Sequence, residues 1–299
     1  MSDATMNYTL LGGLAALFSA FAWAFDPILF KKLGERVSPL GLNLGRGAIG
    51  VLLLSVMLLP FGFSPIPARS LFFLVVSGIF GIALGDTFFF MGLMRIGPRL
   101  SILMETLCPV VSVLLAVIVL RERPGIAVWS GIVLTISGVA WVLWERAPRE
   151  KLKEHWAPGV KFGILSVLST SVGIIFLKIG VKDVPPVQAT AVKLFAGTLG
   201  LALWGLVGLK IKTWVRPLRH AGTFSVLTLA VVIGICGGLL FSVIAIKYTI
   251  ASIAVPLNST TPLFVLPLVA VLYKEKISLR AFLGALVAVI GIILIFLHS

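Results

Sequence analysis

Apolar stretches of about 20 residues, each long enough as a helix to span a hydrocarbon core of about 30 Å, recur along the chain with short polar pieces between them. They run roughly over 8–30, 38–60, 70–94, 99–120, 125–144, 159–180, 187–208, 223–246, 251–273 and 278–297. Stretches such as Ile126 to Leu143 and Ala281 to Leu297 are continuous. That excludes a membrane β-barrel, whose strands are about 10 residues long with alternating polarity. A helix also closes its backbone hydrogen bonds internally, as lipid requires. Of 299 residues, 59% are hydrophobic and 12% charged, too much apolar surface for a water-soluble chain of this size to hide. The expected fold is an all-α integral membrane protein with ten transmembrane helices.

The formal charge of +14 invites a nucleic-acid partner, but 23 of the 25 Lys and Arg residues fall in loops or at helix ends, as membrane topology requires. No nucleic acid is expected. Cys108 and Cys236 both fall inside spans and read as small packing residues rather than a disulfide framework. His155, His220 and His298 lie in loops or the tail without a ligand cluster, so no metal and no cofactor are expected. Ala20-Phe21-Ala22 resembles a signal-peptide cleavage site, yet nothing before Lys31 is basic and the apolar run continues past it, so the first span reads as a permanent helix.

Loop charge sets an orientation. The odd connections, from Lys31 to Arg36, around Arg95 and Arg99, from Arg146 to Lys161, from Lys210 to Arg219, and from Lys274 to Arg280, carry 17 Lys and Arg. The even connections carry 6. The positive-inside rule therefore puts the odd loops in the cytoplasm and both termini outside.

The chain also resembles itself. At an offset of 153, Gly81 falls on Gly234, Gly85 on Gly238, Pro109 on Pro262, Glu122 on Glu275, Gly131 on Gly284 and Gly138 on Gly291. For the first two spans the offset is 147, with Lys31 on Lys178, Pro39 on Pro186, Arg46 on Lys193 and Gly50 on Gly197. The six-residue difference sits in the longer second-half connection around Lys210 to Gly222. Residues 1–147 and 159–299 thus read as two five-helix repeats joined by a charged linker, 148–158. An odd number of helices per repeat inverts the second copy, and inverted repeats meeting at a midplane site are a common construction of alternating-access carriers.

The stretch Gly85-Asp86-Thr87-Phe88-Phe89-Phe90-Met91-Gly92-Leu93, then Arg95-Ile96-Gly97-Pro98, Glu105-Thr106-Leu107-Cys108-Pro109, Leu120-Arg121-Glu122-Arg123 and Gly131 and Gly138, resembles the repeat of the EamA family of the drug/metabolite transporter superfamily. Pro262, Lys274-Glu275-Lys276, Gly284 and Gly291 are similar in the second copy. The resemblance spans nearly the whole chain and implies a ten-helix fold with a central pathway lined by the first four helices of each half. It implies transport of diverse substrates and names none. It also implies termini in the cytoplasm, opposite to the loop-charge count, which we keep.

Five charged residues are left inside the spans: Asp26, Arg46, Asp86, Glu105 and Lys193. Each costs about 2.5–3.5 kcal/mol at a helix centre, of order 10 kcal/mol together and comparable to a domain's net stability. They must face one another or a wet cavity. Arg46 and Asp86 lie about 12 Å from the cytoplasmic ends of helices 2 and 3, and Glu105 about 9 Å into helix 4. Asp26 is nearer the surface and reads as a cap or a partner of Lys31 or Lys32. In the second half Lys193 replaces Arg46, Leu239 replaces Asp86 and Asn258 replaces Glu105. Inversion then predicts two layers, Arg with carboxylates toward the cytoplasm and Lys with an amide toward the outside.

Two readings of Arg46 stand. It staples helices through Asp86 or Glu105, or it leaves one carboxylate open to a cavity, where loss of water favours the protonated form and couples proton uptake to substrate exchange. Glu105 is the preferred carrier, because Pro109 four residues on removes the hydrogen bond to its carbonyl. Pro262 and Thr261, with Asn258, Ser259 and Thr260, make a kinked polar stretch that lines a path or simply packs. The glycine pairs read as close helix contacts, Phe88 to Phe90 as core or lipid-facing, with the lining of a pocket for apolar substrate groups as the alternative, and Trp141 and Trp144 as interfacial.

The expected function is a secondary transporter moving a small metabolite, such as an amino acid or amine, by alternating access, with proton-coupled export as its drive. The expected setting is a bacterial or archaeal plasma membrane (a cell inner membrane), as monomer or homodimer. A flippase for a phosphate-bearing lipid-linked headgroup is the alternative, since Arg46 and Lys193 suit phosphate. A membrane-embedded enzyme fits worse: no span holds a His, and no Gly-x-Ser-x-Gly or His-Glu-x-x-His occurs. A channel would show a ring of polar groups or filter carbonyls.

Overall fold

The structure, a computed structural model, describes residues 3–60, 62–119, 125–146, 153–181, 184–241, 245, 257, 260–274 and 278–297. Among them there is no strand. The elements are α1 (Asp3–Leu33), α2 (Pro39–Leu58), α3 (Ala68–Gly78), α4 (Thr87–Glu105), α5 (Leu107–Val119), α6 (Ile126–Arg146), α7 (Lys153–Gly180), α8 (Pro186–Val207), α9 (Ile211–Val215), α10 (Ala221–Val232), α11 (Thr261–Tyr273) and α12 (Leu279–Leu297). A π-helical segment, Ile79–Asp86, joins α3 to α4, and a second, Ile233–Leu240, extends α10.

Six described helices are long and apolar enough to cross a membrane: Leu11–Leu33, Pro39–Leu58, Ala68–Glu105, Trp156–Leu177, Val187–Val207 and Ala221–Gly238. Shorter apolar helices are Ile126–Val142, Thr261–Tyr273 and Leu279–Ile295. The 38-residue stretch Ala68–Glu105 would be about 57 Å long as one rod, well beyond a core of about 30 Å. Gly97 divides it, with φ 78° and ψ 172°, and Pro98 starts the next helix. Glycine occupies that left-handed backbone without steric cost. The expected fourth span, 99–120, breaks again at Thr106, where Pro109 has no N–H to give. The Thr106 hydroxyl donates to the Leu103 carbonyl at 2.6 Å, and the Thr260 hydroxyl donates to Leu257 at 2.6 Å before α11. Pro262 therefore stands in the first turn of α11, where a missing N–H is harmless, rather than at a mid-helix kink. The helix α7 begins at Lys153, inside the stretch read as linker. The Arg121-Glu122-Arg123 turn, Glu275-Lys276 and residues 147–152 lie outside the described residues.

The chain forms two compact units. The first comprises Met1–Ile28, Ile96–Ala157 and Val232–Ser299. Its tightest packing joins α6 to α12 through small residues: a methyl group on Gly131 would lie 2.5 Å from the Gly291 carbonyl oxygen, and one on Gly138 2.6 Å from the Gly284 oxygen and the Ala288 nitrogen. Residue numbers rise along one helix as their partners fall along the other, so α6 and α12 run antiparallel. Thr135 donates to Gly131 at 2.8 Å, and Leu100, Leu103, Val139 and Leu266 form a core beside this seam.

The second unit comprises Leu29–Arg95 and Pro158–Val231. Here α8 packs on α2 and α3, with Gly47 against Thr198 and Gly197 against Gly78 and Ile82. Leu74, Val184 and Ala189 form one core, and Leu44, Ala83, Leu201 and Trp214 another. Large apolar side chains such as Leu52, Val56, Phe195 and Leu203 face outward, the arrangement lipid favours and water penalises.

The close approach of α6 and α12 makes a prediction. Gly138→Leu meets backbone that cannot move aside, and should lower stability by about 1–3 kcal/mol or more. Gly200 has open space around it, so Gly200→Ala should be neutral or stabilising by up to about 1 kcal/mol. Melting curves of the detergent-solubilised variants check both.

Candidate functional site

The π-helical segments position the polar groups. A π-turn widens the helix and misaligns its carbonyls, and glycine lets neighbouring backbone approach those carbonyls. In the second unit Gly81 lies against Gly173 and Gly85 against Thr170 of α7, and the Ser166 hydroxyl donates to the Gly85 carbonyl at 3.1 Å. In the first unit Gly234 lies against Asp26 and Gly238 against Trp23 of α1, and the Ser19 hydroxyl donates to the Gly238 carbonyl at 2.7 Å. Every partner here is the repeat equivalent of its counterpart: 81 and 234, 85 and 238, 26 and 173, 23 and 170, 19 and 166. The same device is built twice.

At the end of the first π-segment, Asp86 meets Arg46 of α2, with Nη1 to Oδ2 at 2.7 Å. The two side chains, Arg46 and Asp86, keep 25% and 21% of their surface exposed, so the pair is neither dry nor on the surface. Arg46 also lies over the Phe30 and Phe90 rings at 5.8 and 6.0 Å, within cation–π range. Beneath it Asn43, buried, donates to the Ile82 carbonyl at 2.8 Å and to the Thr87 hydroxyl at 2.9 Å. That takes up one carbonyl of the π-segment and fixes the helix end that carries Asp86.

Lys193 of α8 joins the same cluster. Its Nζ would sit 3.3 Å from a methyl group on Gly81, five residues before Asp86, and the fields of Arg46 and Lys193 both act on Asp86. This corrects the expectation of two separate charge layers. Residue count along a helix gives only the depth of its backbone, whereas α2 and α8 pack against each other and a lysine stem bridges several ångströms. Among the described residues Lys193 has no hydrogen bond and no ion pair. Gly81 is what leaves room for its ammonium.

Glu105 belongs to the other compact unit, as the last residue of α4 before the Thr106 break, and accepts a hydrogen bond from the Cys108 thiol at 3.4 Å. Pro109 and Pro262 occupy the first turns of α5 and α11, and half-buried Thr261 opens α11. Asn258 lies outside the described residues. Asp26 is the residue sequence reasoning undervalued: it is buried at 7% exposure with a carboxylate oxygen over Gly234, not at the surface. Its equivalence to Gly173 at the 147 offset carried the signal. Among the described residues no three His, Cys, Asp or Glu side chains cluster as a metal site.

The sequence pattern of the EamA-like transporter family matches residues 10–144 and again residues 157–297. This chain belongs to that family. An archaeal protein from Archaeoglobus fulgidus, described as an uncharacterized transporter, is 23% identical over 292 residues, covering 95% of this chain and 97% of the relative. A solved protein crystal structure superimposes with a TM-score of 0.64 at 21% identity, over 95% of this chain and 94% of that one, a likeness of fold. The protein is accordingly a multi-pass membrane transporter, and its substrate class is small molecules.

The Arg46–Asp86 contact predicts a measurable coupling. Arg46→Gln and Asp86→Asn, singly and together, should yield an interaction energy of about 0.5–3 kcal/mol in a double-mutant cycle. Unfolding of the purified protein in detergent measures it, and strict additivity would mean the pair holds nothing together.

Proposed function

We propose that this transporter is a secondary carrier that moves a small metabolite by alternating access, with Arg46, Asp86 and Lys193 as its polar substrate subsite. The observation that carries the reading is a half-open ion pair in the helix interior of a membrane transporter, near a lysine that makes no hydrogen bond or ion pair among the described residues. Charges in that setting are costly unless a wet path or a ligand repays them. Arg46 and Lys193 present donors for acceptor groups of the solute, Asp86 offers an acceptor, and the buried Phe30 and Phe90 rings support the Arg46 guanidinium from behind.

The frame of the proposal is ten membrane spans in two inverted five-helix halves, 1–147 and 159–299. Three features support it: the twofold match to one family pattern, the duplicated serine-to-glycine bonds on the two π-segments, and the antiparallel packing of the equivalent helices α6 and α12. Inverted halves exchange roles as the pathway opens to one side and then the other. The breaks at Thr106 and Thr260 give the discontinuous helices such carriers use. Glu105, at the first break, is the proposed proton carrier, and its proton movement drives export. Loop charge supports termini outside.

Counterflow in proteoliposomes tests the proposal, with amino acids, amines, organic acids and phosphorylated headgroups offered in turn. A carrier accelerates uptake of labelled substrate when unlabelled substrate is inside. Asp86→Asn and Lys193→Gln should each cut that exchange at least about tenfold, a loss of some 1.4 kcal/mol of binding, with Lys193→Gln melting near wild type and Asp86→Asn lowered only by the loss of its Arg46 contact. Glu105→Gln should keep exchange and lose uptake driven by a pH gradient. Non-saturable flux without counterflow would mark a channel instead, and unchanged exchange in the Asp86 and Lys193 variants would move the subsite elsewhere.

A further inference from the structure

The connection between α8 and α10 is where the two halves differ, by six additional residues. It folds as α9 followed by a 3₁₀ turn, Arg216–Arg219. Trp214, buried, pins it: its carbonyl faces Gly41 of α2 and its ring covers Gly205 of α8. The other face of the connection carries Lys210, Lys212, Arg216 and Arg219, all exposed, and residues 208–220 contain no acidic side chain. Beside it opens a groove of about 520 Å³, walled by Gly45, Ala48 and Ile49 of α2, by Leu218, and by Phe224 of α10. Arg219 is the one charged residue among those lining it.

A second groove of about 550 Å³ on the same unit serves as an internal contrast. It lies between α2, α3 and α8, is lined by residues such as Val51, Ser55, Phe63 and Phe195, and has no charged side chain in its lining. Both grooves suit an acyl chain. Only the one beside α9 has a cation, Arg219, in its lining, and the connection that supplies it carries three more within nine residues.

We propose that the groove beside α9 is a binding site for one anionic phospholipid, with an acyl chain along Ala48, Ile49 and Phe224 and the phosphate held by Arg219 and Arg216. Basic clusters next to membrane helices attract anionic headgroups, and a guanidinium matches phosphate with paired hydrogen bonds. A zwitterionic headgroup adds an ammonium that the four cations repel, so the site discriminates by charge. The pinned tryptophan makes it a built feature, because the connection that supplies the cations is held to α2 and α8 rather than trailing in solvent. Occupancy ties α9 to α2 and α10 and so stabilises this unit, whichever substrate the transporter carries.

Native mass spectrometry of the full-length protein, delipidated and then offered equal phosphatidylglycerol and phosphatidylcholine in detergent, tests the site. Wild type should retain one phosphatidylglycerol in preference to phosphatidylcholine by about tenfold or more, the scale expected from two charges near a membrane surface. Arg216→Gln combined with Arg219→Gln, both on the exposed face, should bring the two lipids to parity. Ala48→Phe, which fills the groove, should remove the retained lipid, and Ser55→Phe in the uncharged groove should leave the preference intact. Equal retention of both lipids by wild type, or an undiminished preference in the double Arg variant, would overturn the proposal. Should Ala48→Phe fold poorly, a thermal shift on adding phosphatidylglycerol replaces it: a shift in wild type that the double Arg variant lacks supports the site, and an equal shift in both overturns it.

Discussion

Hydrocarbon offers no partner to a polar group, so every donor, acceptor and charge in a membrane span must find one in the protein or along a wet path. The helices here meet that demand in their backbones and then depart from it at a few places. The two π-helical segments misalign carbonyls, and serines from α1 and α7 take them up. Proline removes N–H groups at 109 and 262, and threonine hydroxyls tie off the helix ends before them. At each of these places a hydroxyl group takes up a backbone carbonyl.

Those departures are also where the charges stand. Asp86 closes the first π-segment and Glu105 ends the helix before the Thr106 break. The glycines of the π-segments do two things at once. They let α7 and α1 approach closely enough for the serine bonds, and at Gly81 they leave a hollow for the Lys193 ammonium. Packing and site thus share the same small residues, and substituting one disturbs both. The opposite holds at the α6–α12 seam, where Gly131, Gly138, Gly284 and Gly291 serve contact alone.

The two halves share one pattern and diverge where chemistry differs. Arg46 and Lys193 keep a cation at equivalent positions, whereas Asp86 has no acidic equivalent in Leu239. Asp26 stands where the other half has Gly173. The longer α9 connection belongs to the second half and carries its own basic face. A shared scaffold fixes helix geometry, and single side chains then set polarity on each side of it.

The sequence by itself determined the solvent, the helical class and the duplication, because about 20 apolar residues can do little but cross a bilayer as helix and because glycines and prolines repeat at fixed offsets. It also identified Arg46, Asp86 and Lys193, since an ionisable residue in an apolar run is conspicuous. Only the tertiary structure decided which of them meet. Depth along a helix is written in residue number, but neighbourhood depends on which faces pack, on how far a lysine or arginine reaches, and on π-turns that rotate the residues after them. That is why the Lys193 ammonium came to lie at Gly81, on the π-segment that ends in Asp86, rather than in a layer of its own, and why Asp26 proved buried against Gly234 rather than exposed at a helix end.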